Sequence, residues 1–150
     1  MRAVIQRVSK ASVTIENKVF SKINKGLLVL LGVGLIDSEE DVQWLVKKIA
    51  SMRLFPSDKG NVDLSIIDID AEILVISQFT LFASTKKGNR PSFLHSAKPD
   101  VAKPLYEKFV VELEKTIQKP VQTGVFGADM QVDLCNDGPI TICVDTKNKE

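Results

Sequence analysis

Ile73-Leu74-Val75-Ile76-Ser77-Gln78-Phe79-Thr80-Leu81-Phe82 is the stretch on which the reading of this chain turns. It opens as a nearly continuous apolar run, the pattern of a strand buried on both faces. Two hydroxyls and an amide then interrupt it before the apolar character returns. In an extended chain, side chains alternate between faces, so Gln78 and Thr80 share one face while Ser77 and Phe79 share the other. Buried polar groups need partners, because an unpaired hydroxyl or amide costs roughly 1–3 kcal/mol. Either the protein or a ligand supplies them.

A strand is expected over 72–82, and the pattern extends outward from it. Upstream, strands are expected over 2–9 and 11–16. Ala3, Ile5 and the stem of Arg7 alternate there with Arg2, Val4 and Gln6. Asn17-Lys18 turns into Val19–Ile23, and Asn24-Lys25-Gly26 turns into a central apolar strand, Leu27–Val33. A helix is expected over 38–53. Ser38 caps it, Glu39, Glu40 and Asp41 fill its first turn, and Val42, Leu45, Val46 and Ile49 form one apolar stripe. Phe55-Pro56 ends it, residues 57–61 form a loop, and a short strand follows at 62–66. Downstream, 84–98 is loop. A second helix opens at Pro99-Asp100, carries Leu105, Phe109, Leu113 and Ile117 four apart, tolerates Pro104 in its first turns and ends at Lys119-Pro120. Closing strands are expected over 121–126, 130–136 and 139–145. Strands, helix, strand, helix, strands predicts one α+β domain over 1–150, with mostly antiparallel sheets and two covering helices.

Charge narrows the function classes. Twenty Lys and Arg against nineteen Asp and Glu leave a net charge of +1, which excludes a globally basic nucleic-acid binder but not a local patch. The longest apolar run, Gly26 to Ile36, is too short to span a membrane, and no secretory signal is visible. A cytoplasmic protein without membrane partners is expected. Cys135 and Cys143 are too few for a disulfide framework and read as buried, inert thiols. His95 is the single histidine, which argues against a His-based zinc site. Without a P-loop, Rossmann fingerprint, nucleophile elbow or metal-ligand cluster, no cofactor and no metal are expected.

Four features carry possible chemistry. Ser77-Gln78-Phe79-Thr80 is either a structural strand end or a nucleophile site, and a hydroxyl nucleophile needs a base for which His95 is the only histidine available. Lys86, Lys87, Arg90 and Lys98 occur in a stretch with no acid, either as a solvated loop or as phosphate contacts. Asn136-Asp137-Gly138-Pro139-Ile140-Thr141 carries a hairpin signal, complicated by a proline that removes a ladder donor. A two-residue turn there would set Cys135 opposite Ile140 and leave Cys143 unpaired with it; Gly138-Pro139 also admits a cis peptide. In Thr123–Met130, two glycines allow close backbone approach, and Phe126 and Met130 either pack in the core or stack on a flat ring.

In combination and in this order, these segments resemble the D-aminoacyl-tRNA deacylases. The resemblance runs through Ile5-Gln6-Arg7-Val8, Gly26-Leu27-Leu28-Val29, Ser77-Gln78-Phe79-Thr80-Leu81, Arg90-Pro91-Ser92-Phe93, Thr123-Gly124 to Phe126 and Met130, and Asn136 to Thr141. Ile140 stands where the family usually has valine. The resemblance implies β/β/α layers and a homodimer with active sites at the interface. It implies hydrolysis of the ester between a D-amino acid, or glycine, and the 3′-terminal adenosine of tRNA. It implies that Gly138 and Pro139, joined by a cis peptide, enter the partner's pocket and reject L-amino acids through backbone atoms. It implies further that Ser77, Gln78, Phe79 and Thr80 surround the scissile ester, that Phe126 and Met130 lie near the terminal adenine, and that Arg7 braces the Gly-Pro turn. Lys86, Lys87 and Arg90 are the candidate tRNA phosphate contacts. Two mechanisms stay open: a Thr80 acyl-enzyme, or attack by water assisted by the ribose 2′-OH. The second is favoured because no base adjoins Thr80 in sequence. A non-catalytic module binding the tRNA end, and a plain protein-interaction dimer, are the readings from other classes.

Overall fold

The computed structural model describes residues 1–149. The chain runs β1 (Arg2–Ile15), β2 (Lys18–Ile23), β3 (Gly26–Gly32), α1 (Glu39–Ser51), β4 (Phe55–Ser57), β5 (Gly60–Leu64), β6 (Glu72–Ser77), a 3₁₀ helix (Phe79–Phe82), α2 (Pro99–Ile117), β7 (Gln122–Thr123) and β8 (Gln131–Asp145). This is the expected α+β class. One sheet has the order β2-β1-β3-β6-β7, with β8 also on β1. Ladders to β1 are antiparallel, whereas β3–β6 and β6–β7 are parallel.

β1 is the organising strand. The expected pair over 2–9 and 11–16 is one uninterrupted strand of 14 residues. Its first half pairs with β3, its second half with β2, and β8 follows both halves. Because β8 bridges the changeover near residues 9 and 10, the backbone need not break there.

β3 and β6 are buried on both faces, as their continuous apolar runs require. Ala3, Ile5, Leu27, Val29, Leu31, Ile73 and Val75 pack toward the helices. Leu28, Leu74 and Ile76 join Val8, Ala11, Val13 and Ile23 in a second cluster. α1 turns Val42, Leu45, Val46 and Ile49 inward. α2 buries Tyr106, Phe109, Leu113 and Ile117, so the buried stripe passes through Tyr106 while Leu105 is only partly covered. Gln118, in the left-handed region, ends α2.

Five boundaries depart from expectation. The helix expected over 38–53 is Glu39–Ser51, with Ser38 as its N-cap. The strand expected at 62–66 is the second arm of a small β4–β5 hairpin. The strand expected over 121–126 shrinks to two residues. The strand expected over 72–82 stops at Ser77 and tightens into the 3₁₀ helix, so the face alternation does not reach Phe79 and Thr80. The last departure concerns 130–145. Asp137-Gly138 is no hairpin turn, because both flanks pair with β1 and not with each other. Val8 opposes Asn136, Gln6 opposes Thr141, and the residues between bulge outward. The cysteines are also corrected: both are free and exposed, since their positions on β8 face away from the packed side.

Asp41 ties α1 to the C-terminal end of the chain. It accepts from the Ser38 backbone N–H at 2.8 Å and from Lys147 Nζ at 2.8 Å. Burial pushes its carboxyl up, but hydrogen bonds from Lys147, Thr146 and Ser38 and the nearby amino terminus outweigh that and hold it well below the usual range. The unfolded chain therefore binds this proton more readily than the folded one. Asp41 contributes stability that is fully present above the unfolded value, about 4, and is lost as pH falls toward the lower folded value. Urea unfolding should show Asp41→Asn less stable than the parent at neutral pH. The gap should narrow below about pH 4; a gap that does not change with pH would contradict this linkage.

Candidate active site

Where β6 ends, Ser77, Gln78 and Phe79 form one wall of a cleft of about 580 Å³. Phe126 and Met130, from the segment between β7 and β8, line the same cleft. The floor comes from Leu31, Val33 and Ile76, and the first turns of α2 close it with Ala102 and Tyr106. Parallel pairing makes this geometry possible. It sets Ser77 beside Leu31 and Thr123 beside Val75, so the ends of three strands open on the same side.

The side chains are held by specific contacts. Tyr106 donates its buried hydroxyl to the Val75 carbonyl at 2.9 Å, and its ring lies 5.7 Å from that of Phe126. Burial, with the neighbouring Glu107 carboxylate, raises the Tyr106 phenol far above its ordinary value, so it stays neutral and acts as a donor. A Cβ on Gly124 would sit 2.4 Å from Met130 Sδ, so the thioether lies directly on glycine backbone. Phe79 is exposed and meets Phe93 edge-on at 5.0 Å. That contact ties the end of the basic loop to the cleft.

The 3₁₀ helix gives the polar groups their arrangement. Gln78 donates its backbone N–H to the Leu31 carbonyl at 2.8 Å, and its side-chain amide donates to the Thr80 hydroxyl. The first turn bond runs from Leu81 N–H to the Gln78 carbonyl at 3.3 Å. The N–H groups of Phe79 and Thr80 precede it, where a helix start leaves donors free for a ligand. Thr80 itself does not line the cleft. No hydrogen bond joins it to His95, which is exposed and lies outside the cleft lining.

Arg7 is buried within β1 and acts as a fork. It donates to the Leu54 carbonyl at 2.8 Å, the Asn61 carbonyl at 2.9 Å and the Asp137 carbonyl at 3.1 Å, and it pairs with the Asp137 carboxylate at 3.2 Å. The bulge it reaches carries a cis Gly138-Pro139 peptide, with Gly138 at φ +126°. Gly138 and Pro139 are exposed and do not line their own chain's cleft. Lys86, Lys87 and Arg90 are exposed and pair with no described carboxylate. Among the described residues, no group of three or more His, Cys, Asp or Glu side chains gathers as metal ligands, and no helix is long and apolar enough to cross a membrane.

The structure thus brings Ser77, Gln78 and Phe79 together with Phe126 and Met130, joins Arg7 to the Gly138-Pro139 bulge, and keeps the two groups apart. Gly127, Ala128 and Asp129, from the Thr123–Met130 segment singled out in sequence, also line the cleft, as does Tyr106, which the sequence does not single out. Tyr106 lies on the stripe of α2 that the structure buries, one position from the Leu105 stripe expected from sequence.

The model of the D-Tyr-tRNA(Tyr) deacylase family matches residues 4–145. The chain is 57% identical over its full length, and that of the relative, to the D-aminoacyl-tRNA deacylase of Bacteroides thetaiotaomicron. It is 56% identical, again over the whole of both chains, to that of Flavobacterium psychrophilum. The solved structure of a c-Myc DNA unwinding element binding protein superposes with a TM-score of 0.91 at 40% identity, covering 97% of this chain and 98% of that one. A probable eukaryotic D-amino acid tRNA deacylase superposes with a TM-score of 0.80 at 17% identity over 95% and 97%, a likeness of fold. With matches of this length and identity, the chain belongs to the D-aminoacyl-tRNA deacylase family of hydrolases.

Proposed function

We propose that this chain, as a single cytoplasmic domain, hydrolyses the ester between a D-amino acid, or glycine, and the 3′-terminal adenosine of tRNA. The observation that carries this reading is the cleft, which the Ser77–Phe79 strand end lines together with Phe126 and Met130. The first set of groups suits an ester carbonyl and the second a flat base. Phe126 and Met130 then hold the adenine, and Lys86, Lys87 and Arg90 meet the phosphates beside it. The N–H of Phe79 stabilises the oxyanion as it forms.

Handedness is read by Gly138-Pro139 of a second copy. Both residues are exposed and stand outside their own cleft, so a cross-subunit role is the one their position supports. Backbone carbonyls there take the α-amino group of the substrate. A wall of main chain rejects an L side chain without sensing what the D side chain is.

The attacking group is water. Its oxygen bonds to the ester carbon, the bond to the ribose oxygen breaks, and the ribose oxygen takes up a proton with the vicinal 2′-OH assisting. Thr80 serves as a positioner, since its hydroxyl already accepts from Gln78 and no base is hydrogen-bonded to it. Incubation with D- and L-tyrosyl-tRNA should release the D-amino acid alone. Protection without release would mean a tRNA-end-binding module, and no effect would reject both. Thr80→Ala should keep hydrolysis within about tenfold, whereas a loss of about a thousandfold or more with tRNA binding intact would establish Thr80 as nucleophile. Light scattering should give the mass of a dimer, and a monomer at micromolar concentration would remove the cross-subunit gate.

A further inference from the structure

No residue of the 3₁₀ helix Phe79–Phe82 is buried. Four-residue 3₁₀ segments have poor hydrogen-bond geometry and little stability of their own. Leu81 also lines a second cleft, of about 630 Å³, which extends to Arg2, Trp44 and Lys48. The helix therefore stands between two hollows, and burial in the core does not fix it.

Its anchors are polar and close-range. The chain enters through the Gln78 N–H on the Leu31 carbonyl. The far end is held by Arg2. One terminal nitrogen donates to the Leu81 carbonyl at 3.0 Å, Nε donates to Asp145 at 2.8 Å, and the guanidinium carbon lies 4.6 Å from the centre of the Phe82 ring. Phe82 in turn is pressed onto the extension of β3: a Cβ on Gly34 would lie 2.7 Å from its ring. A Cβ on Gly32 would lie 2.9 Å from the Gln78 carbonyl oxygen.

We propose that Arg2 is a positioning residue for the hydrolysis, clamping the 3₁₀ helix onto the end of β3 so that Gln78 and the Phe79 N–H stay aligned on the scissile carbonyl. The inference rests on the deacylase reading of the cleft. Arg2 does not line that cleft, so it acts through the helix. Lysine is no substitute. One ammonium retains the charge opposite Asp145, but it does not also reach the Leu81 carbonyl and present a flat face to Phe82.

The test is steady-state hydrolysis of D-tyrosyl-tRNA by the full chain, its Arg2→Lys and Phe82→Leu variants, and the double variant. Each single change should lower kcat about 10- to 100-fold, the scale on which misplacement by up to about 1 Å acts, with KM within about twofold. The double variant should be no slower than the slower single one, because both remove the same clamp. Unchanged kcat in both variants, losses that multiply in the double variant, or losses that follow the unfolded fraction in a melting curve would overturn the proposal. Should Arg2→Lys fail to fold, Phe82→Leu decides by the same criterion. An inactive parent chain would instead refute the deacylase reading, whereas an active parent with insensitive variants refutes the role of Arg2 alone.

Discussion

Arg7→Leu should lower the free energy of unfolding by roughly 3–5 kcal/mol in urea denaturation. The leucine fills part of the same volume, so lost packing is a minor share of the effect. The larger share is polar. The guanidinium serves carbonyls of Leu54, Asn61 and Asp137 and the Asp137 carboxylate at once. Removing it leaves acceptors without a donor, and each costs about 1–3 kcal/mol where water does not enter. Arg7→Lys should fall between, because one ammonium satisfies only part of the fork. A loss below about 1 kcal/mol for Arg7→Leu would mean that water replaces the guanidinium, and the bulge would then be held by β1 pairing alone.

Gly26→Ala should be comparably severe for a different reason. A Cβ at Gly26 would lie 1.9 Å from the carbonyl oxygen of Glu72 and within 3 Å of two more of its backbone atoms. No side chain is available to swing aside. The start of the β3–β6 ladder must separate, at a cost of about 3 kcal/mol, the upper end of what overpacking exacts. Ser77 is positioned by that ladder through Leu31, so activity should fall with stability. A melting curve superimposable on that of the parent would refute the close approach.

These two positions also mark what could be read from sequence. The two-sided burial of β3 and β6 was legible in their unbroken apolar runs, and α1 in its Ser38 cap and apolar stripe. The 3₁₀ helix was not. Phe79-Thr80-Leu81-Phe82 has the aromatic and β-branched composition of a strand. What bends it is tertiary: Arg2 on the Leu81 carbonyl and the close approach to Gly32 and Gly34. Asp137-Gly138 misled for a related reason. Its local chemistry does favour a reversal, but both flanks find hydrogen-bond partners on β1, more than a hundred residues away in sequence. Residue type alone does not say which face of β8 the cysteines occupy. Residue types leave Phe126 and Met130 open between core and ring stacking, and it is the family resemblance that sets them near the site, whereas Tyr106 is hidden within a helix whose expected apolar stripe runs through Leu105.

Arg2 and Arg7 lie on one extended strand, five residues apart, and so point to opposite sides of it. One steadies the 3₁₀ helix; the other steadies the bulge that carries Gly138 and Pro139. The spacing between them therefore fixes which side of the strand each arginine serves. Inserting or deleting one residue there would keep whichever arginine remained in register and rotate the other to the wrong face. The partly exposed Val4 and Gln6 are open to substitution, but the number of residues between the arginines is not.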